Sequence, residues 1–415
     1  MRHGGERIEE IDALRAIAAV CVVMLHVLGY FLAQDSSVVS HWLEQAGVEV
    51  LRFSRQIFMF VTGLLLARVY RDRNPAWAGF LTRRGKTLLL PYAIWTAIYL
   101  WFSGLINLSP GNWLVDARTI MRAVLRGDGY YHLYYVVVTL QFYLVFPLLL
   151  VLARRLGRGR RTGPAAIVAG TAYLALMLFY ARHPYSLPVA AGGPISSFAQ
   201  RLWDERDRLV VSYFAYYFLG VLAGAELERW RELVRRRGGY FLAVGLASVS
   251  YLLYQLHLRV HDGGEAFGVF VSVFRPAMVL YSLAIIGTLF LAALWIIEHK
   301  HGPAQALYRG MRTLSPYTYG IYLAHPLVLT LLEEHVLDRV EVPLGKISPS
   351  LLGSVNALLI IPVWVAGVYA TYRLVSFSQG TRLGEWLFGL SPRARGSRPP
   401  SSAELLPSSP ASQPS

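Results

Sequence analysis

The sequence predicts an all-α, polytopic membrane protein with about ten transmembrane helices and both termini in the cytoplasm. Of its 415 residues, 55% are hydrophobic and 16% are charged, whereas a soluble protein carries about 25% charged residues. Apolar runs long enough to cross a hydrocarbon core of about 30 Å recur along the whole chain. Lys and Arg concentrate in every second connection between these runs, which is the pattern of alternating cytoplasmic loops.

Ten apolar segments are predicted to span the membrane and to form one transmembrane domain over residues 12–375. The predicted spans cover residues 12–34, 48–70, 86–106, 131–153, 165–182, 209–227, 240–258, 268–297, 315–332 and 351–375. The eighth is longer than one straight span needs, and Arg275–Pro276 predicts either a break near its outer end or a tilted helix. Residues 1–11 are predicted to be a cytoplasmic N-terminus, and the Pro- and Ser-rich residues 376–415 a disordered cytoplasmic tail.

The basic connections predict the orientation of the spans. They read RVYRDRNPAWAGFLTRRGK (68–86), RRLGRGRR (154–161), RWRELVRRR (229–237) and HKHGPAQALYRGMR (299–312). Because Lys and Arg are retained on the cytoplasmic side, these four loops independently place both termini in the cytoplasm. The formal net charge of +15 is therefore interpreted as a topology signal, and no nucleic-acid partner is expected.

The first predicted span, IDALRAIAAVCVVMLHVLGYF (11–31), carries Asp12, Arg15 and His26. The eleven-residue step from Arg15 to His26 corresponds to about 1100° of helical rotation, about 20° beyond three turns, so both side chains share a face about 16 Å apart along the axis. Asp12 precedes Arg15 by three residues and can pair with it. Arg15 can reach the cytoplasmic headgroups, but His26 falls well inside the span, where an ionisable group is a functional candidate.

The second and third predicted spans add two groups of cations. Arg52 and Arg55 lie in the outer third of span 2, on one face, and are expected either to reach the outer headgroups or to line a polar cavity. Where span 3 leaves the cytoplasm, FLTRRGKTLLLPYAIW (80–95) carries Arg83, Arg84 and Lys86. This cluster is either a topology determinant or a phosphate-binding site.

Two further histidines lie in later spans. His132 stands among tyrosines at the outer end of span 4, in either an interfacial aromatic belt or a platform for stacking sugars. His325, before Pro326, is predicted near the middle of span 9. The comparable depth of His26 and His325 predicts a shared polar interior, to which we also assign His132, Arg52, Arg55 and Arg275. Cys21 is the only cysteine, and no metal site is predicted.

Five stretches, in this order, resemble the integral-membrane acyltransferase-3 family. They are LRAIAAVCVVMLH, FMFVTGLLL, RRGKTLLLPY, HLYYVVVTLQFYLVFPLL and SPYTYGIYLAHP. The resemblance covers residues 11 to about 375, and it is greatest to the branch that modifies exopolysaccharides, including the membrane protein of the poly-N-acetylglucosamine adhesin system. The sequence departs from the family pattern at Thr62, where Ser is commoner, at Lys86, where Arg is expected, and at Tyr134, where Trp is frequent.

The resemblance implies O-acyl transfer in a bacterial cell membrane, from cytoplasmic acyl-CoA, with acetyl-CoA the first choice, to a hydroxyl of an extracytoplasmic carbohydrate or glycolipid, with no bound cofactor. His26 would remove the hydroxyl proton as a general base, or would form an acyl-histidine intermediate. Arg15, together with Arg83, Arg84 and Lys86, would hold the donor. The spacing of about 16 Å between Arg15 and His26 is close to the reach of an extended pantetheine arm.

Two alternatives from other classes remain. A transporter or flippase of a polysaccharide or its precursor would also use intramembrane His and Arg, although the sequence has no internal repeat of the kind common in secondary transporters. A structural scaffold would leave the intramembrane His26 and His325 without a role. Turnover of acyl-CoA by the purified protein distinguishes transfer from both.

The predicted topology can be tested by labelling single cysteines in a Cys21→Ser background. Residues 183–208 are predicted outside the cell and residues 154–161 inside, so Ser197→Cys should react with a membrane-impermeant maleimide in intact cells, whereas Gly157→Cys should react only after lysis. The reverse pattern would contradict the assigned orientation.

Overall fold

The computed structural model describes residues 8–34, 38–72, 76–109, 111–157, 161–186, 194–337, 339 and 349–390, and within these ranges the chain forms helices and no strand. The prediction of an all-α fold is thereby confirmed. The helices in chain order are α1 Glu9–Gln34, α2 Val38–Leu51, α3 Ser54–Val69, α4 Trp77–Arg84, α5 Leu90–Phe102, α6 Trp113–Arg126, α7 Tyr134–Gly157, α8 Thr162–Arg182, α9 Pro194–Asp204, α10 Phe214–Ala225, α11 Leu227–Leu256, α12 Phe267–Phe270, α13 Pro276–Glu298, α14 Gln305–Leu314, α15 Thr318–Leu332, α16 Pro349–Phe377 and α17 Arg382–Phe388.

Each of the ten predicted spans falls on helical chain. Seven stretches of the described residues are long and apolar enough to cross a membrane: Glu9–Ala33, His41–Val69, Tyr134–Leu156, Thr162–Arg182, Leu227–Asp262, Pro276–Glu298 and Val355–Phe377. The other three predicted spans hold the shorter apolar helices α5, α10 and α15, of 13, 12 and 15 residues. The protein is therefore a multi-pass protein of the cell membrane, whereas the side on which each terminus lies stays a prediction.

Two of the spans are broken near their predicted outer ends. The second divides into α2 and α3 at Arg52 and Phe53. The eighth begins its long helix at Pro276, and Arg275 before it is extended, with φ −81° and ψ 136°. The residue before a proline is pushed out of the helical region by the proline ring, so the structure has the break that Arg275–Pro276 predicted, rather than a single long tilted helix.

Helices α3 and α10 pack backbone against backbone. Gly220 and Gly224, four residues apart on α10, meet the backbone of α3, and Gly63 of α3 meets the backbone of α10. A Cβ atom at any of the three positions would overlap a carbonyl oxygen of the facing helix. Small residues at this spacing let membrane helices pack backbone to backbone, so these glycines fix the position of α3.

The first turn of α1 is held by ion pairs to other helices. Glu10 accepts a hydrogen bond from Arg231 Nε at 2.7 Å, and Glu9 pairs with Lys300 Nζ at 3.0 Å. The hydrogen bond to Glu9 favours the ammonium form and raises the pKa of Lys300. Acidic residues are also favourable at a helix N-terminus because of the helix dipole. These contacts set the height and rotation of the helix that carries Arg15 and His26.

The segment predicted as a disordered tail is folded in its first part, which corrects the predicted boundary at residue 376. Trp95 Nε1 of α5 donates a hydrogen bond to the carbonyl of Leu387 at 2.8 Å, and Phe388 is buried beside the Trp95 ring. The apolar residues of α17 therefore pack against α5, whereas a segment made mainly of Pro and Ser has too little apolar surface to do so. Residues 391–415 of the predicted tail, and residues 1–7 of the predicted N-terminus, lie outside the described residues.

Gly224→Ala is expected to destabilise the protein, because the new Cβ would overlap Leu64 O on the backbone of α3. Overpacking of this kind costs about 1–3 kcal/mol or more, which should appear as a lower thermal midpoint in detergent. Gly170→Ala on α8 is the matched control: nothing lies within 4 Å of its new Cβ, so the gain in helix propensity should leave the midpoint unchanged or raise it. Equal midpoints for the two variants would contradict the packing described.

Candidate active site

An inner cavity of about 510 Å³ lies beside the first turns of α1. Asp12, Arg15 and Arg84 line it, and the predicted orientation places it toward the cytoplasm. The Arg84 guanidinium lies 5.5 Å from the centre of the Tyr143 ring, and Asp12 accepts a hydrogen bond from the Ser315 hydroxyl at 2.7 Å. Two guanidinium groups and one carboxylate therefore face this space, which suits a ligand with several phosphate oxygens.

Of the three cations predicted at the start of span 3, only Arg84 lines the inner cavity. Arg83 and Lys86 are exposed and are not among its lining residues. Successive residues of a helix point about 100° apart, so neighbours in sequence cannot all face the same space. Residues Gly85–Leu89, moreover, form a π-helical turn between α4 and α5, which changes the facing of the residues after Arg84.

An outer cavity of about 330 Å³ lies further along α1. His26, Arg52, Arg55 and Asp207 contribute its polar side chains, together with His132 and the tyrosines Tyr131, Tyr134, Tyr135 and Tyr322. Three residues, Phe58, Tyr135 and Tyr322, line both the inner and the outer cavity. We call these three the aromatic septum, because they are the lining that the two spaces share.

Three histidine rings meet beside the outer cavity. The centre of the His26 ring lies 5.1 Å from that of His325, and His325 lies 5.4 Å from His132. The exposed ring of Tyr131 lies 4.8 Å from His26. The structure thus brings together the three histidines that the sequence analysis assigned to one polar interior. Among the described residues, no group of three or more His, Cys, Asp or Glu is arranged to hold a metal ion.

The orientation of His325 follows from the proline beside it. Pro326 has no backbone N–H and cannot donate to the carbonyl of Tyr322, four residues earlier. His325 Nδ1 takes that place, at 2.8 Å from Tyr322 O and 3.0 Å from Ile321 O. Both partners are acceptors, so Nδ1 carries the proton. The lone pair is then on Nε2, which is buried and has no hydrogen-bond partner among the described residues.

His26 is also reached from a second space, of about 330 Å³. Gly29, Tyr30, Tyr130, Thr330 and Glu333 line it, together with Tyr131, Pro326 and Leu329. His26 and Tyr131 line both this space and the outer cavity. The imidazole therefore stands between two cavities, which leaves it accessible to a ligand although most of its surface is covered.

Arg52 and Arg55 both line the outer cavity, as one of the two predicted alternatives requires. Arg55 donates a hydrogen bond to the Tyr134 hydroxyl. Arg275 does not line the cavity, which corrects its assignment: its guanidinium pairs with the buried carboxylate of Glu49 and lies 4.2 Å from the centre of the Phe270 ring. A buried cation loses its hydration and needs a paired anion to compensate for that loss. The ion pair with Glu49 therefore holds Arg275 away from the cavity.

Sequence reasoning missed several residues of the site. Asp207 comes from the connection before α10, and Glu333 from the π-helical end of α15. Neither belongs to a motif that points to them. Thr62 and Tyr134 were noted only as departures from a family pattern, yet they line the inner and the outer cavity respectively. Thr62 follows Arg55 and Phe58 at helical spacing, and this spacing was the signal that could have found it.

Comparison with known proteins gives one family and several relatives. A family model described as an acyltransferase domain matches residues 8–373. The chain is 26% identical over 342 residues, 81% of its length and 85% of the relative's, to YfiQ of Bacillus subtilis, provisionally named a membrane-bound acyltransferase. It is 22% identical over 325 residues, 77% of its length and 82% of the relative's, to a Staphylococcus aureus protein provisionally named a poly-β-1,6-N-acetyl-D-glucosamine export protein. No solved structure matches the chain.

Proposed function

The chain belongs to the integral-membrane acyltransferase-3 family, and on that premise we propose that it moves an acyl group from cytoplasmic acyl-CoA, acetyl-CoA in the first instance, to a hydroxyl of an extracytoplasmic carbohydrate or glycolipid. Family membership supports a membrane acyltransferase. The identities of the donor and the acceptor, and the roles of individual residues, are what we propose beyond that.

One observation supports the proposed transfer from the inner to the outer cavity. Arg15 lines the inner cavity and His26 the outer one, on the same helix. Their separation along the axis is about 16 Å at 1.5 Å per residue. A donor whose phosphates lie at Arg15 would have to extend its acyl group past the aromatic septum to reach His26, and an extended pantetheine arm is long and narrow enough for that task.

The inner cavity is proposed to hold the donor. Arg15 and Arg84 supply guanidinium groups for phosphate oxygens, because such groups bind phosphate through paired N–H donors. Arg83 and Lys86, which are exposed beside the cavity, would act at most on the most distant phosphates. The Ser315 hydroxyl holds the Asp12 carboxylate in place. Because Asp12 precedes Arg15 by three residues on the same helix, its negative charge limits how the Arg15 side chain can turn.

The outer cavity is proposed to hold the acceptor and to be the place of reaction. The hydroxyl oxygen of the sugar attacks the thioester carbonyl carbon while His26 takes the hydroxyl proton, the carbon–sulfur bond breaks, and the proton passes to the departing CoA thiolate. If His26 itself attacks first, the carbon–sulfur bond breaks, CoA leaves as its thiolate and an acyl-histidine forms. The sugar hydroxyl then attacks the acyl carbon, the carbon–nitrogen bond to the imidazole breaks, and the hydroxyl proton passes to the CoA thiolate. In both sequences the imidazole must begin neutral.

The other histidines are proposed to position the reactants. His325 Nε2 has no hydrogen-bond partner among the described residues, and its ring lies against His26, so it can orient the His26 ring or accept a hydrogen bond from the acceptor. His132 and Tyr131 would form the wall on which a sugar ring packs, since aromatic faces suit the apolar face of a sugar.

Export is the second candidate function, because the Staphylococcus aureus relative is named for export. Cavities that approach from two sides of an aromatic septum would also suit a protein that passes a polymer across the membrane. The two functions differ in one product. An acyltransferase releases free CoA in proportion to acylated acceptor, whereas an exporter leaves acyl-CoA unchanged.

Arg84→Ala and Arg15→Ala are each expected to weaken acetyl-CoA binding roughly tenfold or more, since a charge-assisted hydrogen bond contributes about 1.5–3 kcal/mol. Calorimetry on the protein in detergent measures the dissociation constant. Arg83→Ala should have a smaller effect, because Arg83 does not line the inner cavity. Arg309→Ala, which removes an exposed cation from α14, is the control for overall charge. Equal affinity in all four variants would place the donor elsewhere.

His26→Ala and His26→Gln are both expected to lower the rate of acyl transfer by about 10²–10⁴, the usual loss when a positioned general base is removed, while acetyl-CoA still binds. Transfer is measured as CoA release coupled to acylated acceptor. Gln keeps the size and one hydrogen-bond donor but takes no proton at neutral pH.

His325→Gln is the matched control, since Gln can still donate to the Tyr322 carbonyl; its rate should fall much less. If His26→Gln retains most of the transferase activity, then His26 does no acid–base or nucleophilic chemistry, and the role proposed for its imidazole is wrong. Export becomes the better candidate only if the wild-type protein also leaves acetyl-CoA unchanged.

A further inference from the structure

Arg52 and Arg55 are two cations in a cavity that offers them little counter-charge. Arg55 donates to the Tyr134 hydroxyl, which is neutral. Arg52 has no hydrogen bond or ion pair with any described residue, and its Nε is buried without a partner. Glu49, one turn before Arg52, attracts it electrostatically but forms its ion pair with Arg275, and Asp207 attracts Arg55 without an ion pair within 4 Å. The outer cavity therefore contains two guanidinium groups and one carboxylate, that of Asp207.

A buried polar atom of a charged group without a partner is costly, and proteins compensate it with a partner or with a ligand. No described residue supplies the partner for Arg52. We infer that the ligand does: we propose that the acceptor carries a negatively charged group, a carboxylate or a phosphate, which binds Arg52 and Arg55. This inference rests on the proposed function, since it deepens the description of the acceptor.

The size of the cavity limits how far the charged group can lie from the reacting hydroxyl. Its volume is about 330 Å³, at the small end of the range of about 300–1,000 Å³ for ligand sites. His26, Arg52 and Arg55 all line this one space. The anionic group and the acylated hydroxyl therefore belong to the same sugar or to adjacent sugars, and the charge sets the register of the acceptor against His26.

A second space adjoins the outer cavity at Asp207. Asp207 also lines a neighbouring space of about 550 Å³, which we call the outer vestibule, with Arg126, Arg201, Asp204, Glu205, Arg206, Arg208 and Phe274. Arg126 is paired with Asp128 and Glu205 at 3.1 and 2.8 Å, whereas the exposed Arg201 has no ion pair with the described residues. With Asp128 counted, four arginines face four carboxylates, so the outer vestibule has no net charge and does not itself select an anion.

The same two arginines could instead stabilise only the oxyanion of the tetrahedral intermediate, whose charge arises from any acceptor. The two assignments differ in what they predict for neutral sugars. An oxyanion role makes Arg52 equally important for charged and neutral acceptors. A role in acceptor recognition makes it important only where the acceptor is charged.

The experiment compares three probes on the full-length protein in lipid nanodiscs. Hyaluronan tetrasaccharide carries carboxylates, N-acetylglucosamine 1-phosphate carries a phosphate, and chitotetraose is neutral. Calorimetry without donor measures binding, and acetyl-CoA turnover measures kcat/KM for each probe. We expect at least one anionic probe to be preferred to chitotetraose at least about tenfold, as one charge-assisted contact allows. The preferred probe shows whether a glycan carboxylate or a carrier phosphate is the source.

Variants then assign the preference to Arg52. Arg52→Gln should bring the anionic-to-neutral ratio close to one, and Arg52→Lys, which keeps the charge, should restore part of it. Arg122→Gln, which removes an exposed cation from α6, is the matched control and should leave the ratio unchanged. Equal binding of the three probes by the wild-type protein overturns the inference without any variant. An equal loss for charged and neutral probes in Arg52→Gln also overturns it, in favour of the oxyanion role.

The binding measurement separates this inference from the proposed function. If an anionic probe binds through Arg52 but no acetyl group is transferred to any probe, the inference stands for a carbohydrate ligand and acyl transfer fails. If chitotetraose is acetylated as well as the anionic probes are, acyl transfer stands and the inference fails.

Discussion

The contact between α3 and α10 is the constraint on which the site depends. Three glycines let the two backbones touch, so α3 can neither turn nor slide without overlap. The same helix supplies Arg55 to the outer cavity, Thr62 to the inner cavity, and Phe58 to both. Side chains on one helical face are spaced by its rise of 1.5 Å per residue. The fixed position of α3 therefore sets the depths of the Arg55 guanidinium, the Phe58 ring and the Thr62 hydroxyl together.

Helix α1 is the second rigid element, and its part of the site could be predicted from the sequence. The arithmetic of 3.6 residues per turn placed Arg15 and His26 on one face, and the structure has them lining successive cavities. His325 was predicted at a similar depth because it also belongs to a helix of predicted direction. These predictions needed no knowledge of how the helices pack, since the geometry of a single helix determined them.

The rest depended on tertiary packing. Which of Arg83 and Arg84 faces inward depends on how α4 packs, and the facing of Lys86 depends on the π-helical turn Gly85–Leu89; adjacent charged residues in a sequence give no sign of either. Arg275 was assigned to the cavity, but it pairs with Glu49, which lies far away in sequence and was not expected as its partner. Asp207 stands in a connection without a motif. Residues of α17, which composition alone grouped with a disordered tail, fold because Trp95 and its neighbours give them a surface.

The aromatic septum has a consequence for the energetics of the cell. A bacterial membrane stores a proton gradient, and a chain of water crossing it would conduct protons. Phe58, Tyr135 and Tyr322 are common to the linings of the two cavities, so a chain of water joining the two spaces would have to pass these three rings. Bulky aromatic rings at this position would keep the two polar cavities apart and so limit such a leak.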